Sequence, residues 1–309
     1  MINALTDIVI LLASIFGLWL GAVWIVESAV RIAKRLGLSE LIIGLTVVAI
    51  GTSAPEFAVT VGAALEGRGD ISVGNVVGSN IFNLGFILGG VAIVRAICTT
   101  RTMVVRDGGM LIGTSLLLLV FLLDHQMGRL EGGTLITLLI LYLGYLIWKK
   151  EPIEDGLSAG EFRWLDVPQL IAGIGLVVGS GHFLVESAVH LARLIGVSEW
   201  VIGVTIVAAG TSAPEFATSL IAVLKGRHGV SAGNLIGSDL FNLLGVLGLA
   251  ALIRPMTVEG SAVSSVLVLV GMVILVVVFL MRTGWQISRW EGALLVTINL
   301  VRWILDFLR

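Results

Sequence analysis

The residues Gly51-Thr52-Ser53-Ala54-Pro55-Glu56-Phe57-Ala58 occur a second time, letter for letter, at 210–217. Shifting the chain by 159 residues aligns 42–89 with 201–248 without a gap and with 27 identities. Internal symmetry on this scale indicates that one structural unit has been duplicated. We therefore expect the chain to fold as two related halves.

The composition is typical of a membrane protein. Of the 309 residues, 57% are hydrophobic and 13% are charged, whereas soluble domains carry about 25% charged residues. The segments 8–26, 71–94 and 261–281 contain no charged side chain, and each is long enough to cross a hydrocarbon core of about 30 Å. A single cysteine excludes an internal disulfide, and the lack of a basic run argues against nucleic-acid binding.

The apolar segments predict ten membrane spans, five on each side of a polar linker at 149–165. The linker separates a first repeat at 1–148 from a second repeat at 166–309. Because five is odd, the second repeat must enter the membrane from the opposite side, as in many secondary transporters. The expected fold is an all-α integral membrane protein with two inverted five-helix repeats. The predicted spans are 6–33, 39–66, 70–95, 106–124, 130–149, 166–193, 198–225, 229–253, 260–281 and 287–308.

The distribution of basic residues predicts the orientation. If the N-terminus lies outside, thirteen of the nineteen Lys and Arg residues fall on the inner side. Positively charged loops are retained in the cytoplasm. We therefore expect both termini outside and a multi-pass location in the plasma membrane.

The repeated motif predicts a break in spans two and seven. Pro55 and Pro214 cannot donate a backbone hydrogen bond, so each helix should break or kink there. Glu56 and Glu215 follow these breaks, and a carboxylate in mid-membrane costs about 2.5–3.5 kcal/mol on insertion scales. No Lys or Arg lies at the centre of either span. The charge must be compensated by a cation or a proton, unless two protonated glutamates simply hold the helices together.

Further oxygen ligands are expected from spans three and eight. Ser79 and Asn83 are four residues apart and share one helical face, as do Ser238 and Asn242. Together with the hydroxyls of the repeated motif they form a set of hard oxygen ligands, which suits Na⁺ and Ca²⁺.

These motifs, G-T-S-x-P-E followed by G-S-x-x-x-N in two copies, resemble those of the sodium/calcium exchangers of the cation/Ca²⁺ exchanger superfamily, prokaryotic type. The resemblance covers essentially the whole chain. It implies that the two repeats meet at the membrane centre, with Glu56 and Glu215 as shared Ca²⁺ ligands, the carbonyls of Thr52 and Thr211 assisting, and Asn83 and Asn242 lining the middle. The Na⁺ positions implied by the resemblance draw on Ala49, Ser53, Ser79, Ala208, Ser212 and Ser238.

One position departs from the pattern of this family. Many relatives carry an aspartate where this chain has Asn242, which leaves the expected site with two formal negative charges. One Ca²⁺ or two Na⁺ would neutralise these charges and three Na⁺ would leave an excess, so the coupling ratio stays open. Asp239 could restore the third acid, although its position favours a side chain facing a neighbouring helix or the outer vestibule.

The expected function is antiport of Ca²⁺ against Na⁺, with spans one and six as the moving element. A Ca²⁺/H⁺ or other cation/proton exchanger and, less favoured, a cation channel remain as alternatives. Enzyme motifs such as H-E-x-x-H or G-x-S-x-G do not occur. We expect no cofactor and no protein partner, only Ca²⁺ and Na⁺ as substrates and the lipid bilayer.

The remaining polar residues carry weaker predictions. Glu27 and Glu186 are expected to lie at the membrane interface near the ends of spans one and six. His182 is expected to be a hydrogen-bonded packing residue rather than a proton relay. The acids of the linker lack the spacing of an EF-hand loop and are expected to be solvated; they are Glu151, Glu154, Asp155 and Glu161.

Overall fold

The computed structural model describes residues 2–149, 161–196, 206 and 208–307. These residues are mostly helical, and the helices cover the predicted spans wherever the structure describes them, apart from two breaks and a few terminal residues. The helices are α1 (Ile2–Leu36), α2 (Glu40–Thr52), α3 (Ala54–Glu66), α4 (Gly69–Val94), α5 (Arg101–Asp124), α6 (Arg129–Lys149), α7 (Asp166–Leu194), α8 (Ala208–Thr211), α9 (Ala213–Leu224), α10 (His228–Ile253), α11 (Gly260–Arg282) and α12 (Arg289–Phe307).

Within the described residues, seven helices are long and apolar enough to cross a membrane, or eight if the bent pair α2 and α3 is one span. This establishes a multi-pass membrane protein. The span predicted at 198–225 lies partly outside the described residues, and α12 is not among the seven. The count of ten spans therefore stays a prediction.

The predicted helix breaks are confirmed at both copies of the motif. Ser53 leaves helical geometry with φ −79° and ψ 12°, and α2 and α3 are bent by 53° across it. Ser212 has nearly the same angles, φ −89° and ψ 9°, between α8 and α9. Each proline follows its break by two residues, because the first turn of a helix tolerates a residue without an N–H group.

Two kinds of structure were missed by the sequence analysis. One is a wide π-helical turn within α4 at Asn83–Ile87 and within α10 at Phe241–Val246. The other is a set of two-residue strands that makes the all-α prediction incomplete. In the described residues β1 (Ile97–Cys98) pairs antiparallel with β4 (Gln286–Ile287), and β2 (Gln126–Met127) pairs antiparallel with β3 (Met256–Thr257).

Helices α4 and α10 form the centre of the molecule. The apolar windows of α4 and α10 are 72% and 78% buried, against 33% for α1 and for α7. The two broken helices pack beside this centre, since α3 contacts α4 and α9 contacts α10. The helix breaks are therefore held against the most buried part of the protein.

Helices α1 and α7 pack along each other at the periphery. A Cβ atom added to Gly21 would lie 2.9 Å from the carbonyl oxygen of Gly173, so the two backbones cross where only glycine fits. At one end of the pair Nδ1 of His190 lies 2.5 Å from Oδ2 of Asp7. At the other end Nε of Arg31 donates to Oδ1 of the fully buried Asp166 at 2.8 Å. The two helices are thus joined by polar contacts at both ends.

Candidate ion-binding site

The two motif glutamates lie in the first turns of α3 and α9, directly after the helix breaks. Glu56 is 1% exposed and Glu215 is fully buried. Both are the acidic residue of the first turn, where the helix N-terminus stabilises a negative charge. The break after residue 53 or 212 thus provides free backbone amides next to each carboxylate.

Each glutamate is held by the serine of the opposite repeat. The Ser53 hydroxyl donates to Oε1 of Glu215 at 3.0 Å, and the Ser212 hydroxyl donates to Oε1 of Glu56 at 3.1 Å. The second oxygen, Oε2, of either glutamate is buried and has no hydrogen-bond partner in the part of the chain that the structure describes. The two carboxylates also repel each other electrostatically. The arrangement leaves two carboxyl oxygens without a protein partner and available to a cation or a proton.

Two asparagines missed by the sequence analysis hold the backbone of the glutamates. Nδ2 of Asn75 donates to the Glu56 carbonyl at 3.3 Å and to the Thr60 hydroxyl at 2.9 Å. In the second repeat, Nδ2 of Asn234 donates to the Glu215 carbonyl at 3.3 Å and to the Ser219 hydroxyl at 2.9 Å. The signal was present, since Asn75 precedes Ser79 and Asn83 by four and eight residues on the same helical face.

The threonine of the first motif links the two repeats. Its hydroxyl, Oγ1 of Thr52, donates to Oδ1 of Asn234 at 3.1 Å and lies 3.5 Å from the hydroxyl of Ser238. The same Oγ1 also lies 3.3 Å from the Ala49 carbonyl. Thr52 and Ser238 interact with Glu215, and Thr211 interacts with Glu56 in the same way. Five of the predicted hydroxyls are therefore brought to the two carboxylates, namely those of Thr52, Ser53, Thr211, Ser212 and Ser238.

Of the other predicted residues on the motif helices and α4, Ala49 and Ser79 are buried, and Ala208 is described only in part. Ala49 is fully buried and Ser79 is 6% exposed. Ala208 begins α8, and its side chain lies outside the described residues. No three His, Cys, Asp or Glu side chains of the described residues come together to hold one metal ion. A cation at the glutamates would therefore draw its other ligands from hydroxyl, amide and carbonyl oxygens.

A second buried cluster adjoins the glutamates where α4 meets α10. Nδ2 of Asn83 donates to Oδ1 of Asp239 at 3.0 Å, and Nδ2 of Asn242 donates to Oδ1 of Asn80 at 3.2 Å. Nδ2 of Asn80 in turn donates to the backbone carbonyl of Asp239 at 2.9 Å. Asp239 is fully buried, so it faces a neighbouring helix as expected but does not reach an outer vestibule.

Among the described residues, no basic side chain neutralises these buried acids. Within residues 2–149, 161–196, 206 and 208–307, the ion pairs of Lys, Arg and His involve other acids and leave out Glu56, Glu215 and Asp239. Unpaired buried carboxylates are costly unless a cation or a proton compensates them. The site is therefore suited to binding positive ions.

A cavity of about 490 Å³ lies between α7 and the two helix breaks. Its lining includes Pro55, Thr211 and, from α7, Val178, His182 and Val185. Neither glutamate lines it, although Pro55 is adjacent to Glu56 in the chain.

The weaker sequence predictions have mixed outcomes. Glu27 lies within α1, which ends at Leu36, and forms ion pairs with Lys225 at 2.5 Å and with Arg31 at 3.9 Å. Its place at the membrane interface stays a prediction. The prediction that His182 is a packing residue is wrong, because its side chain is 75% exposed and lies 4.0 Å from Glu186. It borders the open cavity beside the two helix breaks instead. Of the linker acids, only Glu161 lies within the described residues; the other three lie outside them.

Comparison with known proteins identifies related sequences over nearly the whole chain. The family model described as "sodium/calcium exchanger protein" matches residues 6–148 and 167–302. CaxA of Alkalimonas amylolytica is 36% identical over 306 residues, which cover 93% of this chain and 96% of CaxA. The sodium/calcium exchanger MaX1 of Methanosarcina acetivorans is 33% identical over 340 residues, covering 94% and 95% of the two chains.

The fold is also similar to a solved structure. The sodium-calcium exchanger NCX_Mj, soaked with zero Na⁺ and Ca²⁺, superposes with a TM-score of 0.86 and 28% identity. The match covers 99% of this chain and all of NCX_Mj.

Proposed function

The chain belongs to the sodium/calcium exchanger protein family, and on that basis we propose that it exchanges Ca²⁺ for Na⁺ across the plasma membrane. Exchange takes place by alternating access at a midplane site formed by Glu56 and Glu215. The observation that carries this proposal is the pair of buried carboxylates, each with one oxygen bonded to a serine and one oxygen left without a partner.

Competition for one pair of carboxylates explains the coupling between the two ions. Ca²⁺ and Na⁺ both prefer oxygen ligands, so both can occupy the free oxygens of the glutamates. An empty site leaves two unneutralised carboxylates in a buried environment, which disfavours movement of the empty carrier between its two states. The protein therefore changes its accessible side only when it is loaded, and this condition makes it an exchanger.

The surrounding oxygens complete the proposed site. The carbonyls of Thr52 and Thr211 assist the glutamates in holding Ca²⁺, and Asn83 and Asn242 line the middle of the site. The positions of Na⁺ draw on the remaining residues that the resemblance implies, which are Ala49, Ser53, Ser79, Ala208, Ser212 and Ser238.

We further propose that the site lies between two inverted five-helix repeats, 1–148 and 166–309, joined by the linker 149–165, with ten spans in total. The strand pairs support this arrangement. Adding 159 to the numbers of β1 gives those of β3, and adding 160 to those of β2 gives those of β4. The pair of β1 with β4 and the pair of β3 with β2 are thus equivalent, as expected for two copies related by a two-fold axis in the membrane plane.

Transport assays with purified protein in liposomes test the exchange function. Na⁺-loaded vesicles diluted into Na⁺-free buffer should take up ⁴⁵Ca²⁺, and dissipating the Na⁺ gradient should stop the uptake. Uptake that responds to a pH gradient and ignores Na⁺ would replace the proposal with a cation/proton exchanger. Flux that needs no counter-ion would indicate a channel. Protein-free liposomes provide the background for each arm.

A further inference from the structure

Asp239 breaks the symmetry of the buried asparagine cluster. It occupies the position equivalent to Asn80, since 80 plus 159 is 239. In both repeats this residue accepts a hydrogen bond from an asparagine of the opposite repeat: Asn83 donates to Asp239, and Asn242 donates to Asn80. The hydrogen bond is therefore equivalent in the two repeats, but its acceptor is a neutral amide in the first repeat and a carboxylate in the second.

Each amide of this cluster donates a hydrogen bond, while three of its side-chain oxygens have no partner among the described residues. The amide nitrogens of Asn80, Asn83 and Asn242 all donate within the cluster. Oδ2 of Asp239, Oδ1 of Asn83 and Oδ1 of Asn242 are buried and have no hydrogen-bond partner among the described residues. Buried acceptors without partners destabilise a protein, unless a ligand satisfies them. A set of ligands that contains only oxygen atoms suits a hard cation.

The charge of the cluster favours a monovalent cation. It contains one carboxylate and neutral amide oxygens, so a single positive charge neutralises it. Ca²⁺ is matched better by the two carboxylates of the glutamate pair. Asp239 also repels Glu215 electrostatically, yet no three acids of the described residues come together to hold one ion. Asp239 is therefore close enough to influence the glutamate site without completing the coordination of the same ion.

We propose that Asp239, with the side-chain oxygens of Asn83 and Asn242, forms a separate Na⁺ subsite beside the glutamates. The assignment of this subsite to the transport pathway rests on the exchange function proposed above. With Asp239 included, the buried region holds three negative charges instead of two. The Na⁺-loaded protein can then bind more than two Na⁺ ions without an excess of positive charge.

Equilibrium binding of ²²Na⁺ and ⁴⁵Ca²⁺ to the purified full-length protein tests this proposal without relying on transport. Asp239→Asn places in the second repeat the residue that the first repeat carries at Asn80, so the change is close to isosteric. Asp124→Asn, at the exposed end of α5, removes one negative charge away from the cluster and serves as the matched control. Size-exclusion profiles establish that each variant is folded.

We expect the wild type and Asp124→Asn to bind more than two Na⁺ per chain. Asp239→Asn should bind about one Na⁺ fewer, because one negative charge is removed. It should still bind Ca²⁺, with a lower affinity than the wild type, because both glutamates remain while one negative charge beside them is removed. An unchanged number of bound Na⁺, or loss of Ca²⁺ binding in a folded Asp239→Asn protein, would overturn the subsite.

If Asp239→Asn does not fold, the number of Na⁺ ions bound by the wild-type protein tests the proposal. Two or fewer bound Na⁺ per chain would contradict a Na⁺ subsite at Asp239. The proposed exchange function has a separate outcome. Wild-type protein that binds Na⁺ as expected but shows no Na⁺-driven ⁴⁵Ca²⁺ uptake would refute the exchange function and leave the subsite standing.

Discussion

The hydroxyl of Ser53 donates a 3.0 Å hydrogen bond to Glu215, a residue 162 positions further along the chain. The reciprocal bond runs from Ser212 to Glu56 at 3.1 Å. Each repeat thus supplies a carboxylate and the hydroxyl that orients the carboxylate of the other repeat. A movement of one half of the chain against the other would therefore change the hydrogen bonding of both carboxylates at once.

Replacing either glutamate by glutamine should abolish Ca²⁺ exchange. Glu56→Gln or Glu215→Gln keeps the shape of the side chain but removes half of the charge of the pair, and a neutral amide binds Ca²⁺ far more weakly than a carboxylate. We expect Na⁺-driven ⁴⁵Ca²⁺ uptake to fall to the level of protein-free liposomes. Glu66→Gln, on an exposed side chain at the end of α3, is the control and should retain uptake. Full activity in either glutamine variant of the pair would remove that glutamate from the site.

The crossed serines should contribute similarly to ion binding. Ser53→Ala and Ser212→Ala each remove a hydrogen bond to a charged group, which is worth about 1.5–3 kcal/mol. We therefore expect the affinity for ⁴⁵Ca²⁺ to fall by at least roughly tenfold in each variant, measured by equilibrium binding. Ser115→Ala is the control, because this buried hydroxyl donates to the Leu111 carbonyl within its own helix. The symmetric assignment fails if one of the two variants binds Ca²⁺ like the wild type.

The helix breaks beside the two glutamates were predictable from the sequence because the signal for them is local. A proline two positions and a glutamate three positions after a break can be recognised in eight residues, and the duplication places them twice. Asn75 and Asn234 were missed, although they continue the helical rows of Ser79 and Ser238, because their role depends on a carbonyl in another helix. A row of polar residues does not by itself reveal which neighbour it will contact.

The other differences depend on long-range packing in the same way. The two-residue strands pair segments far apart in the chain, such as 97–98 with 286–287, and are too short to produce an alternating pattern. Asp239 could be assigned a partner only once α4 and α10 were placed side by side. His182 was expected inside the protein because it lies in an apolar span, but the face that α7 turns outward follows from its packing against α1.

The asparagines that hold the glutamate carbonyls should differ in importance. Asn75→Ala and Asn234→Ala each remove a hydrogen bond to the backbone carbonyl of a motif glutamate. Asn234 also accepts the hydrogen bond of Thr52 from the opposite repeat. We expect Asn234→Ala to lower the rate of Na⁺-driven ⁴⁵Ca²⁺ uptake more than Asn75→Ala. Asn75→Ala loses two neutral hydrogen bonds, which together stabilise the site by about 1–3 kcal/mol, and Asn234→Ala loses a third. Equal rates for the two variants would show that the contact with Thr52 has no part in transport.

The buried ion pair between α1 and α7 should be important for stability. Asp166 is fully buried and Arg31 is 13% exposed, so Asp166→Ala leaves a largely buried guanidinium without its main partner. Such a loss costs about 3–5 kcal/mol. We expect a clear decrease in the melting temperature of the detergent-solubilised protein. The control is Glu66→Gln, which breaks the pair of Glu66 with Arg68, both more than 60% exposed. A similar decrease in both variants would contradict the importance of burial.

The single cysteine makes the proposed orientation testable without altering the natural sequence. Cys98 is exposed and follows α4, so it lies on the inner side if the N-terminus is outside. A membrane-impermeant maleimide should label it in inside-out vesicles and leave it unlabelled in right-side-out vesicles. In a Cys98→Ser background, Asp124→Cys at the end of α5 should give the opposite pattern, because one further span separates the two positions. Labelling of Cys98 from the outside would reverse the orientation, whereas labelling of both positions from the same side would contradict the passage of α5 across the membrane.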